Sequence, residues 1–322
     1  MKTLFKTLGR ALIAGALACT LAAQAQPVKL RVGTVPIIDL APFYAALDQG
    51  YFKAEGIDIE IVSAPSSNPL LNQVAAGQLD IAFSNIVTVS QAIENGLDFK
   101  VVLPGTLMKA GNDVTPCIVL KDSPIRTAKD MEGKRAGVSA LNNILWLYTR
   151  AWLEQGGADL TKVRLIEVPW AQMLDALTSG QAEAVCPTEP FFTQAMESGK
   201  ARVLGFVFHE VTDRLESVMG VARGAWLKEP ANAAVMNRFA QAYRKGVAFM
   251  EANKKGPEGV RIIAAYTKMD PAVVAKIQTP VFPMVVNPKT IEEMSRLMVK
   301  HGLLKKPADV NAFMFPTAIK AN

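Results

Sequence analysis

The sequence predicts an α/β protein of two similar lobes joined by two hinge strands, with a cleft between the lobes. An internal repeat is the first observation: a helix, a glycine, a short apolar strand and a second helix occupy residues 71–96, and the same pattern returns 103 positions later over residues 174–199. Strands alternate with helices outside the repeat, and a helical tail without a repeat follows residue 216. A repeat of this spacing is too long for a solenoid unit and is typical of two lobes that each have a sheet.

Identical residues mark the repeat along its whole length. They are Leu71/Leu174, Gly77/Gly180, Gln78/Gln181, Gln91/Gln194, Ala92/Ala195, Glu94/Glu197 and Gly96/Gly199, with near matches at Asp80/Glu183 and Ile93/Met196. The similarity extends upstream, where residues 31–33 match residues 135–137. Both lobes are therefore expected to follow one plan.

Apolar runs place the strands of the two lobes. Four runs separated by helical patterns predict βαβ units on a parallel sheet in lobe one, at residues 30–35, 57–62, 80–83 and 100–103. A second set lies at residues 116–120, 135–138, 163–168, 183–186 and 202–208. We expect the chain to cross near Asn112 and to return near Val211. Lobe one is then residues 26–111 and 212–322, and lobe two is residues 112–211.

The tail is predicted to be mostly helical and to pack on lobe one. One more strand at residues 217–222 precedes a long helix over residues 230–253, whose apolar residues form a core-facing stripe. Further helices are predicted at residues 257–266, 271–278 and 290–301, separated by prolines.

Residues 1–25 have the pattern of a signal peptide. A basic start precedes an apolar run over residues 11–21, which is too short to span a bilayer, and Ala23-Gln24-Ala25 fits a cleavage site. Cys19 allows a lipoprotein interpretation, but the residues before it match that pattern poorly. No later stretch is apolar enough for a membrane helix, so we expect a periplasmic protein.

Composition argues against several other functions. The formal net charge is +6, of which the signal region supplies three charges, and no basic run with interleaved aromatic residues indicates nucleic-acid binding. Cys117 and Cys186 are too few for a disulfide framework and are not spaced as metal ligands. We therefore expect no metal, no cofactor and no nucleic-acid partner.

Cys117 and Cys186 could form one disulfide or remain two thiols. The strand that begins near Cys117 is expected to lie antiparallel to the strand that ends at Cys186. Export permits a bridge, but directly cross-strand cysteines often miss disulfide geometry, which favours free thiols.

Polar residues at the strand ends are the candidate ligand-binding residues. In open α/β sheets the ligand lies beyond the carboxyl ends of the strands, where helix N-termini present free N–H groups. Helix capping alone is an alternative explanation for the Ser and Asn residues. The candidates are Pro36, Ile38, Asp39, Ser66, Ser67, Ser84, Asn85, Thr106, Ser139, Asn142, Trp170, Thr188 and Glu189.

Trp170 and Glu189 carry the most specific hypotheses among these residues. Trp170 occupies the repeat position of Ser67, so an aromatic ring faces the cleft where lobe one offers a hydroxyl, unless Trp170 is a core residue. Asn85 and Thr188 correspond in the same way. Glu189 would favour a ligand with a hydrogen-bond donor or a cation, unless it only stabilises a helix start.

Three segments resemble a known family. Residues 32–36, residues 41–60 (APFYAALDQGYFKAEGIDIE) and residues 77–82 are similar to the periplasmic binding proteins of ABC importers for nitrate, aliphatic sulfonates, taurine and thiamine pyrimidine precursors. The resemblance covers nearly all of the mature chain. It implies a type II periplasmic binding protein fold, a monomer that closes on a small solute, and docking on a permease in the inner membrane.

The ligand is less well defined than the family. No arginine falls at a strand end, where a nitrate or sulfonate site would use a fork-shaped donor. Backbone N–H groups and hydroxyls also bind anions, so this observation only favours a small organic solute, with aromatic and heterocyclic molecules among the candidates.

An enzyme of the same fold is the alternative class of function. Some such proteins make the pyrimidine precursor, but His209 and His301 are the only histidines and are far apart, and no Ser/His/Asp set or phosphate loop occurs. A third class, a ligand-presenting partner of a membrane sensor kinase, would use the same fold. We expect a non-enzymatic solute-binding protein.

Overall fold

The computed structural model describes residues 26–112 and 114–320 of the chain. The predicted signal peptide, its cleavage site and Cys19 lie outside the described residues. Among the described residues, every helix is too short or too polar to cross a membrane.

The first sheet contains β1 Val28–Thr34, β2 Ile57–Ser63, β3 Ile81–Asn85, β4 Phe99–Leu103 and β12 Val218–Arg223, in the order β2-β1-β3-β12-β4. β1 pairs in parallel with both β2 and β3, whereas β12 is antiparallel to β3 and β4. The four strands that the sequence predicts for a parallel sheet therefore all run in one direction. The chain returns from lobe two and inserts β12 antiparallel between β3 and β4.

The second sheet contains β6 Pro116–Leu120, β7 Arg135–Val138, β8 Arg164–Glu167, β9 Ala184–Val185 and β10 Ala201–Phe206. Its order, β8-β7-β9-β6-β10, matches the first sheet strand for strand, and its antiparallel member β6 is again the first sheet strand after a crossing. The two lobes thus share one topology, as the internal repeat predicts.

Two short strands join the lobes. β5 (Leu107–Met108) and β11 (Leu215–Glu216) pair antiparallel, one before the predicted crossing and one after the predicted return. They form the two-stranded connection that the sequence predicts for a hinge.

Helices cover both sheets. In lobe one they are α1 Ala41–Asp48, α2 Tyr51–Ala54, α3 Asn68–Ala75 and α4 Ile86–Glu94; in lobe two they are α5 Ile144–Gln155, α6 Met173–Thr178 and α7 Phe191–Glu197. The turns after α3 and α6 use Gly77 and Gly180 at φ values of 74° and 72°, a conformation that favours glycine. This is the repeated glycine stop of the sequence.

An arginine–acid pair also occurs once in each lobe. Arg31 donates its backbone and side-chain N–H groups to Asp80, and its guanidinium also donates to the Gly77 carbonyl at 2.9 Å. Arg135 makes the same bonds to Glu183 and to the Gly180 carbonyl. Both acids immediately precede a strand, so the pairs lie at the amino ends of β3 and β9.

The tail contacts both lobes. Its helices are α8 Gly224–Leu227, α9 Pro230–Asn253, α10 Pro257–Thr267, α11 Pro271–Val274, α12 Pro288–Lys300, α13 Val310–Phe313 and α14 Pro316–Ile319. α9 packs on α1 at Gly246, where an added Cβ would lie only 2.2 Å from the Pro42 carbonyl oxygen. However, Lys276 pairs with Glu197 of α7, and Lys300 pairs with Glu154 of α5 at 2.7 Å. The prediction that the tail packs on lobe one was therefore incomplete.

Cys117 and Cys186 are joined by a disulfide. Cys117 lies on β6, which runs antiparallel to β9 as predicted, and Cys186 follows the last residue of β9. The expectation of free thiols was wrong, because these two strands bring the cysteines opposite each other at bonding distance.

Candidate functional site

A cavity lies between the two sheets, at the carboxyl ends of the strands. Both lobes and the hinge supply its walls, which combine hydroxyl and amide groups with three aromatic rings. The lining residues are Val35, Ile37, Asp39, Ser66, Ser67, Phe83, Asn85, Met108, Ser217 and Val218 from lobe one and the hinge, and Thr115, Ser139, Asn143, Ile144, Leu145, Trp170, Thr188 and Phe208 from lobe two.

Seven of the predicted residues lie together on this cavity. They are Asp39, Ser66, Ser67, Asn85, Ser139, Trp170 and Thr188. Each lies at or after the carboxyl end of a strand, which is why the strand-end pattern brings them to one place. Ser67 and Trp170, the repeat partners, both line the cavity and come from opposite lobes.

The cavity wall includes the starts of two helices. The Asn85 side chain accepts the Thr88 N–H at 3.0 Å and caps α4, while Asn143 accepts the Trp146 N–H at 2.9 Å and caps α5. Their amide nitrogens donate to Ser67 and Ser139 respectively. Asn85 therefore both caps a helix and lines the cavity, so the two explanations of this residue are not exclusive.

Hydrogen bonds close the cleft around the cavity. The Ile144 amide donates to Asn85 at 3.3 Å, and the Gln91 side chain donates to the Asn142 carbonyl at 2.7 Å. The Ile38 amide donates to the Glu189 carbonyl at 3.2 Å. The volume of the cavity is about 40 Å³. The structure is thus a closed arrangement with a small internal space.

Asp39 is a buried carboxylate in this wall. Only 3% of the residue is exposed, and its Oδ1 atom accepts a hydrogen bond from the Thr106 hydroxyl at 2.5 Å. Burial raises the pKa of Asp39 to about 6, while the bond from Thr106 opposes that rise. The carboxyl can therefore change protonation state in mildly acidic solution.

Trp170 contributes an aromatic ring to the cavity wall and has an indole N–H without a partner among the described residues. It is half-buried at the start of a short 3-10 helix, Trp170–Gln172, that follows β8. Its indole Nε1 is buried and has no hydrogen-bond partner among the described residues. Because buried indole N–H groups normally find a partner, the unpartnered Nε1 atom sets Trp170 apart from an ordinary core tryptophan.

Glu189 does not line the cavity. Its carboxylate accepts bonds from the Thr193 amide and hydroxyl on α7 and from the Gln278 amide in the tail, at 2.7 to 3.1 Å. Burial raises the pKa of Glu189. It therefore stabilises the start of α7, the alternative role considered for it, and it also ties the tail to lobe two. The predicted helix at residues 271–278 ends at Val274, before this contact.

Five other predicted residues surround the cavity without lining it. Thr106 does not line the cavity itself, but its hydroxyl donates a hydrogen bond to Asp39, which does. Ile38 and Ser84 are fully buried, and Pro36 is half-buried. Asn142 is exposed and in the left-handed region at φ 57°, and it reaches the other lobe through its carbonyl. Alternation along β3 turns the Ser84 side chain away from the cavity, while Phe83 and Asn85 on either side of it line the cavity.

The apolar part of the wall was not predicted. Phe83, Phe208 and Leu145 line the cavity, as do Val35, Ile37, Met108, Ile144 and Val218. Nothing in their residue type separates them from core residues. Val35 and Ile37 adjoin predicted site residues, so their position beside a strand end was the available signal.

Neither histidine reaches the cavity. The His209 ring lies 5.0 Å from that of Phe206, and the His301 Nε2 atom lies 3.7 Å from Glu154. Among the described residues, no cluster of three or more His, Cys, Asp or Glu side chains could hold a metal ion.

Comparisons with known proteins agree with this geometry. Residues 37–256 match the family model described as NMT1/THI5 like. The nitrate import ATP-binding protein NrtC of Synechocystis sp. is 24% identical over 225 residues, which are 64% of this chain and 33% of NrtC. This chain thus spans about a third of the length of that curated relative.

Solved structures show the same fold. The periplasmic aliphatic sulphonate binding protein SsuA of Escherichia coli superimposes with a TM-score of 0.73 at 17% identity, over 91% of this chain and 99% of SsuA. The desulfurization enzyme DSZB superimposes with a TM-score of 0.64 at 16% identity, over 89% and 96% of the two chains. The chain belongs to the NMT1/THI5-like family and has the two-lobed fold of the periplasmic binding proteins.

Proposed function

We propose that this chain is an extracytoplasmic solute-binding protein that closes its two lobes over a small organic solute and delivers it to the permease of an ABC importer. The observation that carries the proposal is the cavity between the lobes, whose walls come from both lobes and whose rim is bridged by hydrogen bonds between them. A solute that contacts both walls favours the closed arrangement over an open one.

The chemistry of the wall supports an organic solute. Phe83, Trp170 and Phe208 supply apolar and stacking surface, and the hydroxyl and amide groups supply orientation. Among the described residues that line the cavity there is no Lys, Arg or His. This wall can make more favourable contacts with a solute that has an apolar or planar part than with an inorganic anion. The small closed volume favours a compact molecule.

An enzyme remains the alternative because DSZB shares the fold. The lining residues argue for binding instead. Cys117 and Cys186 are bonded to each other, and among the described residues of the cavity wall Asp39 has no histidine, lysine or second carboxylate beside it. Acid–base or nucleophilic catalysis normally uses such a neighbour.

Native mass spectrometry and small-angle scattering test the proposal. Protein purified from its own periplasm is expected to retain a solute of low mass, and that solute, returned to stripped protein, is expected to reduce the radius of gyration. Chemical conversion of the solute during incubation would instead support the enzyme. An unchanged radius at saturation would contradict lobe closure.

A further inference from the structure

Asp39 is the ionisable side chain of the cavity wall as the described residues form it. Of the residues that line the cavity in the described part of the chain, only Asp39 can carry a charge. No ion pair to Asp39 occurs among the described residues. A buried carboxylate without a cationic partner is costly, so a residue of this kind in a ligand site indicates what the ligand must provide.

The surroundings of Asp39 leave it short of donors. Thr106 donates to Oδ1 and the Asp39 backbone N–H also donates to the carboxylate, but no other described side chain donates to it. The titratable groups that face Asp39 are the hydroxyls of Tyr243 on α9 and Tyr266 on α10, and burial raises the pKa of both far above neutrality. The Tyr266 hydroxyl is already used, because it donates to the Ile37 carbonyl at 3.1 Å. Neither tyrosine therefore neutralises the carboxylate.

We infer that Asp39 determines the charge of the solute: the bound molecule presents an N–H donor, neutral or cationic, to the Asp39 carboxylate, and anionic solutes are excluded while that carboxylate is ionised. The inference rests on the proposed function and specifies its ligand class. A donor nitrogen supplies the partner that the protein lacks. An anion would place like charges together in a site of low polarity.

Protonation reverses this preference. The pKa of Asp39 is raised to about 6, so the carboxyl is ionised at pH 8 and largely protonated at pH 5. Cations should therefore bind better at pH 8. An anion that fits the cavity gains only at pH 5, where the carboxyl becomes a donor.

A charge-balanced library provides the test. Compact solutes are screened by thermal shift at pH 8 in matched sets that share one skeleton, such as benzamidine, benzamide and benzoate, or acetamidine, acetamide and acetate, with nitrate and methanesulfonate added. Those that bind are titrated by calorimetry at pH 8 and pH 5. We expect amidines and amides to bind and carboxylates, nitrate and methanesulfonate not to bind at pH 8. The dissociation constants of the amidines should rise about 10-fold at pH 5, because only about a tenth of the Asp39 carboxyl is ionised there.

Two variants test whether Asp39 is the residue that causes the charge preference and its pH dependence. Asp39→Asn should weaken amidine binding at least 10-fold at pH 8 and remove the pH dependence. Glu216→Gln is the matched control, because Glu216 is equally buried but does not line the cavity. Anions that bind more tightly than their amidine counterparts at pH 8 would overturn the inference and leave the proposed function intact. The inference would also be overturned if the affinity of the wild-type protein for amidines differed less than twofold between pH 8 and pH 5. A library without a single binder would refute both.

Discussion

The backbone amide of Ile144 in lobe two donates a hydrogen bond to the Asn85 side chain of lobe one, at 3.3 Å. The Asn85 Oδ1 atom that accepts this bond also accepts the Thr88 amide at the start of α4. One side-chain oxygen thus caps a helix of one lobe and holds the helix start of the other. Closure of the cleft is therefore coupled to local helix stability.

This coupling predicts two separable effects. Asn85→Ala should lower the free energy of unfolding by about 1 kcal/mol, because it removes an N-cap, and should also weaken solute binding because it removes a bond across the cleft. Gln91→Ala is the control: it removes a cross-cleft bond to Asn142 without removing a cap. We expect it to weaken binding with little change in the melting temperature. Equal affinity in both variants and the wild type would show that these bonds do not stabilise closure.

Trp170→Ala should weaken binding more than it weakens folding. The lost stacking and apolar contact is worth about 1 to 3 kcal/mol, or roughly a 5-fold to 150-fold higher dissociation constant. Trp170→Phe keeps an aromatic ring but lacks the unpartnered indole N–H, so it separates ring contact from hydrogen bonding. Calorimetric titration and melting curves measure both quantities. Unchanged affinity with a sharply lower melting temperature would identify Trp170 as a core residue.

Asp39 predicts a pH-dependent stability of the solute-free protein. Its folded pKa of about 6 lies above the ordinary value of 3.8, so its stabilising contribution is complete below about pH 4 and is lost as the pH rises through 6. Asp39→Asn should therefore be more stable than the wild type at pH 8, by at most about 3 kcal/mol, and should lose this part of the pH dependence. Denaturant unfolding between pH 4 and pH 8 measures the difference.

Two other residues, Thr106 and Glu216, provide controls for that experiment. Thr106→Val removes the bond that opposes the rise in pKa, so the loss of stability should move to higher pH. Glu216, whose pKa burial raises to about 7, should still contribute a loss near neutrality in the Asp39→Asn variant. Identical pH profiles for the wild type and Asp39→Asn would mean that Asp39 does not titrate in this range.

The disulfide predicts the thiol content of the mature protein. Denatured, non-reduced protein that lacks residues 1–25 should contain no reactive thiol, and reduced protein should contain two. The bridge spans 69 residues, and closing a loop of that length stabilises a fold by about 4 kcal/mol at most. The double variant Cys117→Ala/Cys186→Ala should therefore lose roughly 2 to 4 kcal/mol. Two thiols before reduction would exclude the bridge.

The sequence predicts the fold more fully than the site. The repeat and the apolar runs locate the two sheets, and the helix predicted at residues 230–253 has those bounds in the structure. The antiparallel β12 could not be predicted, because the strand pattern does not reveal where a returning strand inserts. Pairing partners depend on contacts between residues far apart in the chain, such as Gly220 with Phe83 and Leu103.

Site residues are predictable when backbone position decides their role. Asn85 and Ser139 follow strand ends, and strand ends meet at the cavity. Glu189 also follows a strand end, but three donors turn its carboxylate toward α7 and the tail. Phe208 has the residue type of a core position and still lines the cavity. Side-chain direction separates these cases, and one sequence does not contain that information.

The arginine–acid pairs divide each sheet into two functional ends. Arg31–Asp80 and Arg135–Glu183 fasten the amino ends of the central strands in the same way, whereas the opposite ends carry Ser67 in one lobe and Trp170 in the other. A duplicated lobe can therefore diversify in what it recognises while the fastening of its sheet stays the same. New specificity can arise at one edge of such a scaffold at little cost to its stability, because the residues that secure the scaffold are at the other.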